Sequence, residues 1–214
     1  MRYRAVLFDL DGTLLDTLVD IADAVNRALF QMGFPPHTLE AYKYFVGDGR
    51  EALALRALPE RQRDGASVHR LVELIDVEYS RCWPQHTCPY PGIAALLDEL
   101  TKKNVRMSIL TNKEQALSEE MVSALLPHWR FDVIIGASPS IPKKPDPASA
   151  LQIARSLEID PAGIAYLGDT DIDMKTATRA GMYPVGALWG FRTREELLAG
   201  GAKALIESPC DLLR

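Results

Sequence analysis

Short runs of consecutive apolar residues alternate along this chain with stretches in which apolar residues recur every three or four positions. Five runs have the length and composition of β-strands: residues 5–10, 106–112, 132–136, 164–169 and 183–189. Because they are apolar at consecutive positions, they suit a sheet that is covered on both faces. Between these runs, over 93–100 and 150–157, apolar residues recur at helical spacing. The alternation predicts an α/β fold with a doubly wound parallel sheet, a Rossmann-like core.

One long interval interrupts this alternation, because about ninety residues without a strand-like run separate the first two predicted strands. Helices are predicted there over 39–45, 50–58 and 65–82, and the proline-rich segment 83–92 has the composition of a hinge. We therefore predict a helical domain over 16–87, inserted into a core domain formed by 1–15 and 88–214.

The first helix of this insertion has the clearest pattern. Thr17 and Asp20 have the spacing of a capping box, and the segment "GFPP" at 33–36 is a stop signal. The predicted apolar face consists of Leu18, Ile21, Ala22, Val25, Leu29 and Met32.

Composition and charge restrict the class of partner. The chain of 214 residues is 47% hydrophobic and has a formal net charge of -5, with acidic and basic residues mixed along it. This argues against a nucleic-acid or membrane-surface partner and favours a small molecule. No stretch approaches the ~20 apolar residues of a membrane span, and the first apolar run is too short for a signal peptide. We therefore expect a cytoplasmic protein.

The three cysteines do not form a paired zinc motif. Cys82, His86 and Cys88 lie close in sequence, but ordinary packing explains them better than a metal cluster does. Unpaired cysteines are typical of a reducing compartment.

Polar residues follow the predicted strands at the points where the strands end. Each has an ordinary interpretation as a turn former, a helix cap or a solvated lysine. Because the carboxyl ends of parallel strands meet at one edge of a sheet, where ligands bind, the set together predicts a site. Its members are Asp9, Asp11, Thr111, Asn112, Lys143, Lys144, Asp169, Asp171 and Asp173.

The chemistry of this set indicates a metal and a phosphoryl group. Carboxylates from separate strands repel one another unless a hard cation such as Mg²⁺ lies among them, and Mg²⁺ binds substrate phosphate. One aspartate can attack phosphorus, and a second can protonate the leaving oxygen. Gly12 allows a tight turn, and Thr111 and Lys144 supply a hydroxyl and a positive charge.

Four motifs in this order resemble those of the haloacid dehalogenase superfamily: "DLDGT" (9–13), "LTN" (110–112), "KKPDP" (143–147) and "GDTDID" (168–173). The resemblance implies a phosphatase with an aspartyl-phosphate intermediate, in which Asp9 is the nucleophile and Asp11 the general acid and base. It implies phosphate ligation by Thr111 and Lys144, since the lysine of the family immediately precedes the proline and Lys143 does not.

The resemblance also implies a ligand set for Mg²⁺ and a neighbouring substrate loop. The implied metal residues are Asp9, Asp11 through its main-chain carbonyl, Asp169, and Asp173 through water. Gly12, Thr13 and Asn112 are expected to contact the substrate. In this superfamily an insertion after the first motif is a helical cap that closes over the site and selects the substrate.

A narrower resemblance, to phosphoglycolate phosphatases, rests on "YFVGDGREALALRAL" (44–58), "TNK" (111–113), "KKPDPASAL" (143–151) and "WGFRTREEL" (189–197). It implies 2-phosphoglycolate as the substrate. In the segment 46–50, Gly47 and Gly49 would let the backbone approach the substrate, and Arg50 would pair with a second anionic group. A helix–helix turn with a solvated arginine is the other interpretation of this segment.

Other functions fit the sequence less well. A receiver-type signalling domain is shorter and has no cap, and a metal-independent dehalogenase has no acid at the position of Asp11. A phosphomutase of the same superfamily, or a phosphatase for pyrophosphate or another small phosphorylated metabolite, remains open. Phosphonate hydrolysis would need a cap lysine, for which Lys43 is the one candidate between residues 12 and 101. The oligomeric state is not indicated.

Overall fold

The computed structural model describes residues 3–214 of the chain. Its contacts divide the chain into two compact units. The sheet unit comprises Met1–Leu15 and Pro89–Arg214, and the helical unit comprises Asp16–Cys88. That the helical unit acts as a cap stays a prediction. No helix within 3–214 is long and apolar enough to cross a membrane.

The strands confirm the predicted fold class and add three short strands that the apolar pattern does not predict. The strands are β1 (Ala5–Phe8), β2 (Leu15–Asp16), β3 (Cys88–Pro89), β4 (Arg106–Glu114), β5 (Val133–Ala137), β6 (Ile164–Gly168), β7 (Tyr183–Ala187) and β8 (Ala204–Ile206). Six of them form one parallel sheet in the order β5-β4-β1-β6-β7-β8. The unpredicted strands β2, β3 and β8 have only two or three residues each, too few for a recognisable pattern.

Strand order places a crevice beside β1. From β1 the chain proceeds to β4 and β5 on one side, and then to β6, β7 and β8 on the other. Ala5 lies opposite Arg106 of β4 and Ile164 of β6, and all of β1 is fully buried. Connections that diverge from one strand leave a ligand-binding crevice at its carboxyl end. The first residues after β1, β4 and β6 therefore line one region of the sheet edge.

The helices of the sheet unit lie between its strands along the chain. They are α5 (Ile93–Lys102), α6 (Gln115–Leu125), α7 (Ala148–Leu157), α8 (Asp171–Arg179) and α9 (Arg194–Gly200). Ile153 and Leu157 of α7 pack with Leu7 and Tyr166 of the sheet in one buried cluster. Helices of this unit thus pack against the central strands of the sheet, as consecutive apolar positions predict.

The helical unit contains α1 (Leu18–Gln31), α2 (Leu39–Phe45), α3 (Arg50–Ala57) and α4 (Gly65–Cys82). Its predicted helices agree with these bounds to within one residue. Helix α1 packs mainly against α4, and Ile21, Val25 and Leu29 on its apolar face are buried. Beyond α1 the chain turns at Gly33, whose φ of 77° lies in the left-handed region.

The predicted capping box at the start of α1 is wrong. Thr17 makes no side-chain cap bond, and its hydroxyl is buried without a hydrogen-bond partner among residues 3–214. Asp20 instead accepts hydrogen bonds from the main-chain N–H groups of His86 and Thr87 and from the Thr87 hydroxyl, and its Oδ1 lies 2.8 Å from His86 Nδ1. The carboxylate of Asp20, which a capping box would require, is thus bound by donors of His86 and Thr87 in the segment after α4.

Among the residues that the structure describes, Cys82, His86 and Cys88 take separate partners and are not grouped as candidate metal ligands. Buried Cys82 donates to the main-chain oxygen of Asp20, and Cys88 is exposed. All three cysteines of the chain are free thiols.

Candidate active site

Three aspartates meet at the carboxyl ends of β1 and β6. Asp9 follows β1, Asp169 follows β6, and Asp173 lies in the first turn of α8. One oxygen from each carboxylate lies within 4.8 Å of the others, and all three residues are buried. The neighbouring strands bring them together, since Phe8 of β1 lies opposite Leu167 of β6.

Burial of these like charges changes their pKa values. Burial is the largest cause and the charge of Asp173 the second, and together they raise the pKa of Asp169 to about 7. The same two causes raise the pKa of Asp9 well above its ordinary value. A cation among the carboxylates would oppose both effects. Three buried carboxylates therefore fit a hard divalent cation.

Lys144 supplies a positive charge inside this cluster. Its Nζ lies 2.8 Å from Asp9 Oδ1 and 2.6 Å from Asp173 Oδ1, and its side chain is only 3% exposed. Burial alone would lower the pKa of Lys144, but the two carboxylates outweigh it and raise that pKa. Asp9 Oδ1 has the ion pair but no hydrogen bond of good geometry from any residue of 3–214. An acceptor atom of Asp9 thus remains available for a cation or a substrate atom.

Asn112 holds the loop that carries this lysine. Its amide donates to the Lys144 carbonyl oxygen at 3.1 Å, and its Oδ1 accepts from the Lys144 N–H at 2.9 Å. Exposed Lys143 lies outside this arrangement. The sequence predicts that Asn112 contacts substrate, and that contact stays a prediction beside this positioning of Lys144.

The third acidic residue of the fourth motif, Asp173, is engaged through both of its oxygens. Oδ2 accepts from the Thr170 N–H at 3.1 Å, and the Asp173 N–H donates to the Thr170 hydroxyl oxygen at 3.4 Å, which together form the capping box of α8. Oδ2 also accepts from the Thr170 hydroxyl at 2.6 Å. Oδ1 accepts from Lys144 and from the Tyr166 hydroxyl at 3.2 Å. Asp173 therefore anchors Lys144. Sequence reasoning missed Tyr166 because it resembles one more core residue of β6, and Thr170 because it resembles an ordinary helix cap.

Asp169 is held by the first motif and by the loop after β7. Its Oδ1 accepts from the Thr13 hydroxyl at 2.9 Å, and its Oδ2 accepts from the Phe191 N–H at 2.8 Å. Gly12 has a φ of 83°, and a Cβ there would lie 2.3 Å from Asp169 Oδ2. A Cβ at Gly190 would lie 2.2 Å from Asp169 Cβ. The Phe191 contact has no sequence signal, because a main-chain N–H donates there.

Asp11 and Thr111 share a neighbour, Lys113, to which the four motifs assign no role. Lys113 Nζ lies 3.1 and 3.0 Å from the two carboxylate oxygens of Asp11. The Lys113 side chain is 7% exposed and that of Asp11 is 13% exposed. Thr111 is buried, and its hydroxyl accepts from the Lys113 N–H at 3.2 Å. The sequence signal for Lys113 is a basic residue directly after Thr-Asn at the end of a strand.

Other predicted residues lie in the helical unit or on the surface. Gly47 and Gly49 have φ values of 126° and 87°, and Arg50 begins α3 with its Nη1 2.7 Å from Asp76 Oδ2. Their contact with substrate stays a prediction. Asp171, in the fourth motif, pairs with Lys175 along α8 and lies outside the buried group.

Comparison with known proteins shows extensive similarity. Residues 6–187 match the model of the haloacid dehalogenase-like hydrolase family. A phosphoglycolate phosphatase of Pseudomonas putida is 36% identical over 196 residues, which cover 88% of this chain and 70% of the relative. One of Aquifex aeolicus is 32% identical over 188 residues, covering 88% of this chain and 86% of the relative.

Similarity extends to solved structures. A crystal structure from Lactobacillus delbrueckii subsp. bulgaricus, which carries the provisional name phosphoglycolate phosphatase, is 29% identical in sequence. It superposes with a TM-score of 0.92, and the alignment covers 99% of this chain and 97% of that one.

Proposed function

This chain belongs to the haloacid dehalogenase-like hydrolase family and is a phosphatase. From that membership we propose that it is a Mg²⁺-dependent phosphoglycolate phosphatase that acts through an aspartyl-phosphate on Asp9. The observation that carries the proposal is the buried group at the ends of β1 and β6. Asp9, Asp169 and Asp173 converge there around Lys144. Phosphoryl transfer needs such a concentration of acidic ligands and a cation.

The residues that would hold Mg²⁺ are Asp9, Asp169 and the main-chain carbonyl of Asp11. Asp9 Oδ1 lacks a well-aligned donor within 3–214, and a cation among the carboxylates would lower the pKa of Asp169, which burial and the charge of Asp173 raise in its absence. Both oxygens of Asp173 are engaged by Thr170, Tyr166 and Lys144, so Asp173 supports the site indirectly. When bound, the ion supplies positive charge for the carboxylates and the phosphoryl oxygens.

The protein residues then divide the reaction into two steps. In the first, a carboxylate oxygen of Asp9 forms a bond to phosphorus, the ester P–O bond breaks, and Asp11 gives a proton to the departing alkoxide. In the second, Asp11 takes a proton from water, the water oxygen forms a bond to phosphorus, and the Asp9–phosphorus bond breaks. Lys144 and the hydroxyl of Thr111 would stabilise the phosphoryl oxygens in both steps. The products are glycolate and inorganic phosphate.

The choice of 2-phosphoglycolate is supported by the names of the relatives from Pseudomonas putida and Aquifex aeolicus. We also propose that the helical unit acts as the cap, and that Gly47, Gly49 and Arg50 contribute to substrate contact. A cytoplasmic location fits the three free thiols.

The test is a hydrolysis panel with Mg²⁺, containing 2-phosphoglycolate, pyrophosphate, sugar phosphates and nucleotides, with released phosphate as the readout. We expect 2-phosphoglycolate to be preferred and Asp9→Asn to lower kcat by at least about 10³-fold, because the nucleophile is removed. Asp171→Asn is the matched control, since Asp171 lies in the fourth motif but outside the buried group. An active Asp9→Asn protein, or an equal loss of activity in Asp171→Asn, would contradict the assignment.

A further inference from the structure

Two lysines with little side-chain exposure lie at the active-site end of the sheet, and their partners differ. Lys144 is held between Asp9 and Asp173 and its loop is fixed by Asn112. Lys113 faces the carboxylate of Asp11, with distances of 3.1 and 3.0 Å from Nζ to the two oxygens. Of the two, Lys144 is the one with a role in the proposed phosphoryl chemistry.

Strand β4 is irregular at the position of Lys113. The register of β4 against β5 shifts between Leu110 and Glu114, the interval that contains Lys113. Such irregularities redirect side chains and are frequent beside active sites. The side chain of Lys113 is 7% exposed. A buried ammonium is costly unless it is paired. The ion pair with Asp11 therefore stabilises Lys113 in this position.

The position of Asp11 defines where the leaving group must lie. A general acid stands about 2.6–3.2 Å from the oxygen that it protonates. In 2-phosphoglycolate a single carbon separates that oxygen from the carboxylate carbon. An ammonium 3.0 Å from the Asp11 carboxylate is therefore within reach of the substrate carboxylate. Since an ammonium has three donor hydrogens, Lys113 can exchange one of its contacts for a second carboxylate while it keeps Asp11.

We propose that Lys113 binds the carboxylate of the leaving group, and thereby makes this site selective for phosphomonoesters that carry a carboxylate one carbon from the ester oxygen. The proposal rests on the proposed phosphatase function and assigns its substrate class to the sheet unit. Lys113 is a specificity-determining residue for the leaving group, whereas Lys144 serves every phosphomonoester.

The experiment compares 2-phosphoglycolate with its neutral amide, 2-phosphoglycolamide, in wild-type protein, Lys113→Met and Lys113→Arg. Lys113→Met should lower kcat/KM for 2-phosphoglycolate roughly 10- to 100-fold more than for the amide, the scale of a lost hydrogen bond to a charged group, because loss of the Asp11 ion pair affects both substrates alike. Lys113→Arg keeps the charge and should restore most of the preference. Lys102→Met is the matched control, because Lys102 is an exposed lysine of the same unit that pairs with Glu99.

Calorimetry separates recognition from chemistry. The two ligands are titrated with Mg²⁺ into Asp9→Asn and into Asp9→Asn/Lys113→Met, and only the affinity for 2-phosphoglycolate should fall in the double variant.

Equal losses of affinity for both ligands would mean that Lys113 merely orders Asp11, and no loss of affinity would mean that Lys113 does not bind the substrate. Either result overturns the proposal, as does an equal loss in Lys102→Met. Turnover by Asp9→Asn would instead contradict the proposed function, while the affinity ratio would still decide the role of Lys113.

Discussion

At the scale of single residues, the site depends on how closely the backbone approaches a buried carboxylate. Asp169 accepts from Thr13 on one oxygen and from the Phe191 N–H on the other. The backbone at Gly12 lies so close that a Cβ would reach within 2.3 Å of Asp169 Oδ2. The left-handed φ of 83° adds a second reason for glycine at this position.

We predict that Gly12→Ala disables the metal site. The methyl group must displace Asp169, so phosphatase activity should fall at least about 10²-fold and the Mg²⁺ concentration for half-maximal rate should rise. Gly33→Ala is the matched control, because its φ is 77° and nothing lies within 4 Å of its Cβ position. That variant should show only the cost of left-handed backbone, about 1–2 kcal/mol of unfolding free energy measured in urea, with normal turnover. Wild-type activity in Gly12→Ala would show that Asp169 can move without consequence.

At the scale of elements, a side chain of α1 holds the segment that follows α4. The carboxylate of Asp20 is buried and accepts from the N–H groups of His86 and Thr87. Burial raises the pKa of Asp20, but the hydrogen bonds from Thr87 and His86 outweigh it and hold that pKa below its usual value. His86 and Thr87 belong to the proline-rich segment 83–92, which has the composition of a hinge. Within the helical unit their hydrogen bonds to Asp20 hold this part of the segment against α1.

We predict a pH-dependent loss of stability in Asp20→Asn. Because the folded pKa of Asp20 is below the unfolded value of about 3.9, its contribution is present above pH ~4 and is lost as the pH falls through the folded pKa. The variant should therefore lose about 1–3 kcal/mol of unfolding free energy at pH 7, with a smaller difference from wild type below pH ~4.

The control for this measurement is Asp23→Asn, which changes a carboxylate on the same helix outside the hydrogen bonds to residues 86 and 87. Urea unfolding at several pH values provides the comparison. A difference between wild type and Asp20→Asn that grows toward low pH would contradict the sign of the pKa shift.

At the scale of the whole molecule, topology gathers the site from segments far apart in the chain. Asp9, Lys144 and Asp169 follow different strands, and the reversal of strand order beside β1 brings them to one edge. The result is a cluster of buried like charges that a single lysine does not neutralise. Such a cluster makes the folded protein without metal less stable than its apolar core would allow.

We predict that Mg²⁺ stabilises the folded protein. At about 100 times its Kd, a ligand specific for the folded state adds about 2.7 kcal/mol, which corresponds to a rise in Tm of roughly 5–10 °C for a chain of this size. Thermal unfolding in Mg²⁺ and in EDTA measures this rise. Asp169→Asn should show little of it and Asp171→Asn should show all of it. An equal rise in both variants would place the ion away from Asp169.

The sequence by itself determined the fold class and the main candidate residues. Consecutive apolar residues indicate a doubly covered parallel sheet, and the ends of its strands share an edge, so the apolar pattern predicts that Asp9 and Asp169 lie at the same edge of the sheet. The three-residue strand β8 lacks a pattern long enough to detect.

Only the tertiary structure decided which partner each polar group takes. The capping-box spacing of Thr17 and Asp20 was a valid local signal, but donors from residues 86 and 87 satisfied Asp20 instead. The pairing of Lys113 with Asp11 joins residues 102 positions apart. Local spacing indicates which bonds a side chain can form. Which of them forms depends on the donors that folding brings within about 3 Å, because a buried polar group takes the best set of partners available regardless of sequence distance.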